Sequence, residues 1–348
     1  MERRTFIAGL AGGGVAAAAA APAAAQGQRR LKLVTDRPEA ALRLAARVGA
    51  ASAGRLALDV APLPSGAGPL MRAAVAAGEH DAYLGAEAMF AGQEPALALF
   101  AAMPAGMSSS EVESWISAAD GGQMWDMVNE SAGIRAMLAG DDGPLPLWSR
   151  EPLDASSGTG GLKGPVATYG AGIRMAEMAG AGAIDLAAGA GTAEAFAVEG
   201  MSVTQMMASG LHESFPFMTA PGLSFPSSTV ALGVSAASWE ALPEADRFAL
   251  SVAAAAHNAA ERALSAFENA RALVNASGAL RVGETPDAVW AAGRDAAETL
   301  LGEIEATGPA AMDAGGAYRY FLTDVAGWSE IGEASYFEGR KRALSASL

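Results

Sequence analysis

The spacing of apolar side chains changes along the chain, and each change marks an element. Over residues 28–34, Leu31, Leu33 and Val34 sit among Arg29, Arg30 and Lys32, which predicts a short strand. Residues 39–53 carry apolar side chains at helical spacing behind Pro38, a residue suited to the first turn of a helix. Residues 56–62 alternate as a second strand, 68–78 repeat as a helix, and 81–84 begin a third strand. This order predicts a parallel sheet covered by helices. Ligands of such sheets sit beyond the carboxyl ends of the strands, which points to Leu84, Gly85 and Glu87.

Ser108-Ser109-Ser110-Glu111 predicts a capped helix start before Val112, Trp115 and Ile116, and another helix covers 123–131. Residues 140–164 are rich in Gly, Pro, Ser and Asp, as expected of a crossing between two lobes. A small-residue region to Ala208, a proline-punctuated loop over 215–226 and a strand over 229–234 follow. From Leu242-Pro243 an alanine-rich pattern runs to about 276 without internal Pro or Gly. It predicts one helix of roughly thirty residues, about 45 Å long at 1.5 Å per residue, able to brace two lobes. Residues 286–307 and 313–344 supply the last helices, with Arg340-Lys341-Arg342 suited to a helix carboxyl end.

The amino terminus carries Arg3-Arg4 and Phe6, then an apolar Gly/Ala run, then Ala23-Ala24-Ala25. That is the form of an export signal of twin-arginine type, with Glu2 where Ser or Thr is commoner. Residues 1–25 are therefore set aside from the fold, and the mature protein is expected outside the cytoplasmic membrane.

About 320 residues remain, more than a single core usually grows to, so two lobes are expected. No second apolar run is long enough to span a membrane. The net charge of −15 argues against nucleic acid and anionic lipid as partners, and makes an acid ligand depend on local cations. Cysteine is absent, which excludes disulfides and thiolate chemistry. The three histidines, His80, His212 and His257, lack metal-ligand spacing. Gly200-Met201-Ser202-Val203-Thr204 fails as a nucleophile elbow, and Gly158-Thr159-Gly160-Gly161 reads as a flexible loop rather than a phosphate cradle. No catalytic residue, cofactor or metal is assigned.

Several segments in collinear order carry a family resemblance: Glu94-Pro95-Ala96-Leu97-Ala98-Leu99 with Met103-Pro104, Trp148-Ser149-Arg150-Glu151-Pro152, Gly161-Leu162-Lys163-Gly164, Gly191-Thr192-Ala193-Glu194-Ala195, and Trp239-Glu240-Ala241-Leu242-Pro243. Together they resemble the DctP-type substrate-binding proteins of TRAP transporters, most closely the α-keto-acid-binding branch. The resemblance implies an α/β fold, a two-lobed periplasmic-binding-protein-like clamshell with a long helix bridging the lobes. It also implies a periplasmic location and delivery of a small solute to TRAP membrane permease subunits without chemistry. Residues 26–143 would form lobe 1, completed by about 226–260. Residues 144–225 would form lobe 2, completed by about 261–348.

The departures concern the ligand site. Where the resemblance implies a carboxylate-gripping arginine after the Gly-Leu-Lys segment, this chain has Pro165, which has neither charge nor N–H. Ala197 and Val198 stand where the keto-acid branch has a Glu-Trp pair, and the segment after Met178 is shortened. The expected ligand-binding residues are Arg150, Leu84, Gly85, Glu87, Met103, Phe217 and Phe225. Lys163 and Arg174 are the other cations near the crossing; they read as surface charges, and Arg150 equally suits a tie to backbone carbonyls. If Arg150 grips an acid, Arg150→Ala should abolish binding and spare the fold. The expected function is capture of a small solute, an organic acid by resemblance. The alternative is a degenerate clamshell that has lost its carboxylate site and acts as an accessory or interaction protein.

Overall fold

The computed structural model describes residues 27–64, 67–153, 161–189 and 191–345; the expected export signal and residues 158–160 of the glycine loop lie outside them. The first half runs β1 (Arg29–Thr35), α1 (Pro38–Ala51), β2 (Leu56–Pro62), α2 (Leu70–Ala76), β3 (Ala82–Ala86), α3 (Ala98–Ala101), α4 (Ser109–Ala118), α5 (Gly121–Glu130) and β4 (Ile134–Asp141). Then come β5 (Leu147–Ser149), β6 (Val166–Thr168), α6 (Ala171–Met178), β7 (Ala183–Asp185), β8 (Ala197–Val198), α7 (Val203–Ser209), β9 (Phe217–Ala220) and β10 (Thr229–Ser235). The chain closes with α8 (Ala236–Ala241), α9 (Glu244–Asn275), β11 (Arg281–Glu284), α10 (Asp287–Glu305), α11 (Pro309–Ser329) and α12 (Ser335–Ser345).

Lobe 1 is a five-stranded sheet in the order β2-β1-β3-β10-β4. The predicted parallel set is present as β2, β1 and β3, but β10 enters antiparallel between β3 and β4. All five residues of β3 are buried, as a central strand covered on both faces requires. One face packs Leu33, Leu44 and Val48 against Leu250 and Ala253 of α9. The other holds an aromatic core in which Phe100 stacks on Trp115 at 5.0 Å and on Trp125 at 5.7 Å. At the start of α4, Glu111 accepts the Ser108 N–H at 2.7 Å, so the predicted cap forms.

Lobe 2 is built on short strands in the order β11-β9-β5-β8-β6-β7, around Trp148, Met206, Phe215 and Met218. The expected loop over 215–226 thus contains a strand, β9, because Met218 alternates inward under Trp148. Two segments link the lobes and hydrogen-bond to each other, Asp142 N–H to Ser228 carbonyl at 3.1 Å and Leu145 N–H to Phe225 carbonyl at 3.0 Å.

Helix α9 has 32 residues and spans about 48 Å. Its amino-terminal and central part belongs to lobe 1, where Asp246 accepts from Arg55 at 2.8 Å and Glu261 accepts from Arg43 at 2.8 and 2.5 Å. Its end belongs to lobe 2, where Asn269 accepts from the Thr204 N–H and hydroxyl, both at 3.0 Å, and Ala272 and Leu273 join the core. Between them Ser265 donates to the Asp142 carbonyl at 3.1 Å, fastening the rod to the linking strand.

The carboxyl-terminal helices depart from the expected division. Leu300, Ile304, Ala311, Ala314 and Tyr318 pack into the lobe 1 aromatic core, Tyr318 meeting Trp115 edge-on at 5.6 Å. The apolar stripe of the α10–α11 hairpin has its largest complementary surface there. Lobe 2 is touched through Arg174 of α6, paired with Glu303 at 2.7 Å.

Leu250→Ala, at a fully buried position of α9, should destabilise the protein by about 2–5 kcal/mol in urea unfolding. Val252→Ala, two residues on and 45% exposed on the opposite side of the helix, should stay within about 0.5 kcal/mol.

Candidate functional site

The carboxyl end of β1 turns into the space between the lobes. Thr35 drives the turn: its hydroxyl donates to the Leu84 carbonyl at 2.7 Å and accepts the Arg37 N–H at 2.9 Å. Asp36 and Arg37 are thereby aimed off the sheet. Arg37 forms a two-pronged pair with Asp142, Nη1 to Oδ1 at 2.9 Å and Nη2 to Oδ2 at 2.7 Å. Burial disfavours the guanidinium charge, but Asp142 and Asp36 outweigh it and hold its pKa above the ordinary value. The Arg37 Nε and Asp36 Oδ1 atoms face each other at 3.9 Å, both buried and neither with a hydrogen-bond partner among the described residues. Next to them, Asp141 accepts from the Ser109 hydroxyl and the Gly143 N–H, each at 2.6 Å, while burial lifts its pKa to about 6.

Lobe 2 covers this group with Tyr169, at the end of β6. Its hydroxyl donates to the Gly200 carbonyl at 3.0 Å and its ring lies 5.0 Å from Phe225. Burial, then the nearby Asp142 charge, raises the phenol above its usual range. Two glycines allow the approach. At Gly170 (φ 56°) a Cβ would lie 2.4 Å from the Ala88 carbonyl oxygen of lobe 1, and at Gly200 (φ 93°) it would lie 2.4 Å from the Tyr169 ring. Tyr169, Phe225 and Leu145 pack with Ala88, Ala101 and Ala102 in a seam that joins the lobes. Beside it, Asp36, Arg37, Asp142, Ser202, Gln205 and Asn269 bound part of a cavity of about 460 Å³. That volume suits a small molecule.

No protein-family model matches the chain, and no curated protein matches it. Solved structures do. A TRAP transporter solute-binding protein from Bordetella bronchiseptica RB50, with copurified calcium and picolinate, is similar at 21% identity, TM-score 0.82, over 93% of this chain and 100% of that one. One from Colwellia psychrerythraea, with bound calcium and pyruvate, is similar at 19% identity, TM-score 0.81, over 90% and 99%. One from Haemophilus influenzae RdAW, with bound L-gulonate, gives 13% identity and TM-score 0.70 over 84% and 100%. The chain has the TRAP solute-binding-protein fold.

Calcium in two of these neighbours raises the question of a metal in this chain's version of the TRAP fold. The described residues do not fit one: no group of three or more His, Asp or Glu side chains is placed to hold an ion. Glu199, next to the positions aligned with the Glu-Trp pair, is engaged through both oxygens, by the Ser224 N–H at 2.9 Å, the Ser224 hydroxyl at 2.7 Å and the Leu223 N–H.

Of the residues expected from sequence to contact ligand, the TRAP fold brings Phe225 to the seam and sends the others elsewhere. Glu87 lies in a single turn of 3-10 helix after β3 that rotates it inward. It is fully buried and accepts from the Trp125 indole at 2.8 Å and the Tyr83 hydroxyl at 3.1 Å; burial lifts its pKa to about 7. Leu84 is a core residue, Gly85 faces Met71, and Met103 belongs to the aromatic core. Phe217 lines a separate groove of about 280 Å³ with Pro152 and Leu153, below the Arg281 guanidinium at 5.1 Å.

Arg150 donates to the carbonyls of Ala195 at 2.7 Å and Ala193 at 2.9 Å and lies over Phe215 at 4.5 Å, so its guanidinium ties loop to strand. Lys163 pairs with Glu151 at 2.7 Å. At Pro165 the carbonyl accepts the Phe196 N–H at 2.8 Å and the ring abuts Gly182, which leaves no charge at that place. Sequence reasoning passed over Asp36 and Arg37. The rule applied to the third strand holds equally for the first, whose end is marked by Thr35-Asp36-Arg37-Pro38.

Two outcomes follow. Arg150→Ala should cost about 1 kcal/mol of stability, measured by urea unfolding, because it removes hydrogen bonds to the part-buried Ala195 carbonyl and the exposed Ala193 carbonyl. Glu87 has a folded pKa above its unfolded one, so its stabilising contribution is complete below about pH 4.5 and is lost as pH rises through about 7. Wild type should therefore lose up to about 3 kcal/mol relative to Glu87→Gln between pH 5 and 8. His257, held by burial at a pKa of about 4, slopes the opposite way toward acid. The quantity to measure is thus the wild-type-minus-variant difference at each pH.

Proposed function

We propose that this chain is the exported, periplasmic solute-binding component of a TRAP-type transporter. It holds a small organic acid between its lobes and delivers it to membrane permease subunits. The observation that carries the reading is the cavity bounded by the turn after β1, by α1, the end of β4, α7 and α9, with a guanidinium at its wall and residues of both lobes around it. Linking strands bonded to each other and a rod fastened to both lobes suit a hinge motion that excludes water around a ligand. Bound organic acids in solved structures of the same fold support the ligand class. The chain's work on this reading is binding rather than catalysis. No helix among the described residues is long and apolar enough to cross a membrane.

The degenerate reading draws on one specific observation. The Arg37 fork is satisfied inside the chain by Asp142, and Pro165 supplies no substitute. The two readings part in a thermal-shift screen of keto acids, hydroxy acids, amino acids and neutral polyols. A true ligand at about 100 times its dissociation constant should add about 2.7 kcal/mol of stability. A flat response to every class would remove the binding reading and leave the accessory one.

A further inference from the structure

The charges around the cavity restrict what can enter it. Among the described residues two guanidinium groups reach it, and both are engaged: Arg37 by Asp142 at 2.7 and 2.9 Å, and Arg43 by Glu261 at 2.8 and 2.5 Å. Carboxylates outnumber them, because Asp36, Asp141, Glu39 and Glu268 line the same wall. A bare carboxylate arriving here finds no uncommitted cation. To take the Arg37 fork it must displace Asp142, whose side chain is 19% exposed and would then sit largely buried without its counter-charge. Breaking such a pair by removing one partner is strongly unfavourable. Asp36 adds to the penalty, since its buried Oδ1 already lacks a donor at 3.9 Å from Arg37 Nε.

We infer that the organic acid this cleft takes also carries a protonated amino group, so that the solute is zwitterionic. Such a molecule performs an exchange rather than a displacement. Its carboxylate occupies the Arg37 fork while its ammonium, a donor of three hydrogen bonds, takes the released Asp142 and the waiting Asp36 Oδ1. The Arg37–Asp142 pairing is exchanged without leaving either charge bare, Asp36 Oδ1 gains the donor it lacks, and the formal charge of the site does not change. The engaged fork, which by itself favours the degenerate reading, becomes the element that sets selectivity. This inference rests on the proposed binding function and names its substrate class.

The test compares three sets of probes on the purified mature protein by titration calorimetry: L-amino acids, the keto acids with the same side chains, and the corresponding decarboxylated amines. Amino acids should bind at least about tenfold more tightly than either partner set, a gap that corresponds to a single mismatched interaction. In Asp142→Asn the fork is no longer held by a counter-charge, so keto acids should gain affinity and the preference should shrink to within about threefold. Circular dichroism checks that the variant is folded, and Asp36→Asn, which keeps the Arg37–Asp142 pair, gives a second reading through a selective loss of amino-acid affinity. Keto acids binding wild type as tightly as amino acids would overturn the inference and leave the binding function standing, and amines doing so would overturn its two-charge form. No binding by any of the three sets would also overturn the inference, and only a flat thermal-shift response to every class of solute would remove the binding function itself.

Discussion

A charge enclosed between two lobes has to be compensated where it lies, and this constraint organises the centre of the molecule. Arg37 and Asp142 satisfy it for each other, through two parallel bonds from a planar fork to two oxygens. The pair is placed by elements that have little else in common. Thr35 locks the turn after β1, and Asp142 follows directly on β4 in the segment that links the lobes. Tyr169 then covers the pair from lobe 2, and it can do so because Gly170 and Gly200 leave room for backbone and ring to meet.

The same region ties the charge pair to the segments that link the lobes. Asp142 holds Arg37 with its carboxylate and is itself held through its backbone, by Ser228 on the second linking segment and by Ser265 on the long helix. Any change at the guanidinium is therefore felt in the strand about which the lobes would move. From Ser265 the connection continues through Asn269 to the start of α7, in lobe 2. A two-state hinge biased by one charge exchange is a physically sufficient means of coupling solute to closure. Elsewhere the buried polar groups serve architecture. Glu87 and Glu199 are internal acceptors, and Arg150 is a clamp on carbonyls, although their residue types suggest ligand contact.

Much of lobe 1 was legible because its elements are long and periodic. Pro38 opens α1, the alternation over residues 56–62 is β2, and an alanine-rich stretch free of Gly and Pro is the 32-residue rod. Lobe 2 was not legible in the same way. Its strands are two to four residues long, too short to show a period, and β9 lies in a stretch that proline punctuation marks as loop. The division of the carboxyl-terminal helices was misplaced because the apolar stripe that carries Tyr318 and Ile304 does not state which lobe will bury it.

The sequence alone determined the repeating strand and helix order, the long rod, the absence of thiol chemistry and an uncharged proline at position 165, since each depends on local spacing or residue identity. Only the tertiary structure decided that Glu87 turns inward to Trp125, that Arg150 spends its donors on backbone, and that Arg37 meets Asp142 across 105 positions of chain. A side chain's charge is written in its residue type, but what neutralises it depends on which distant segment the fold brings within 3 Å.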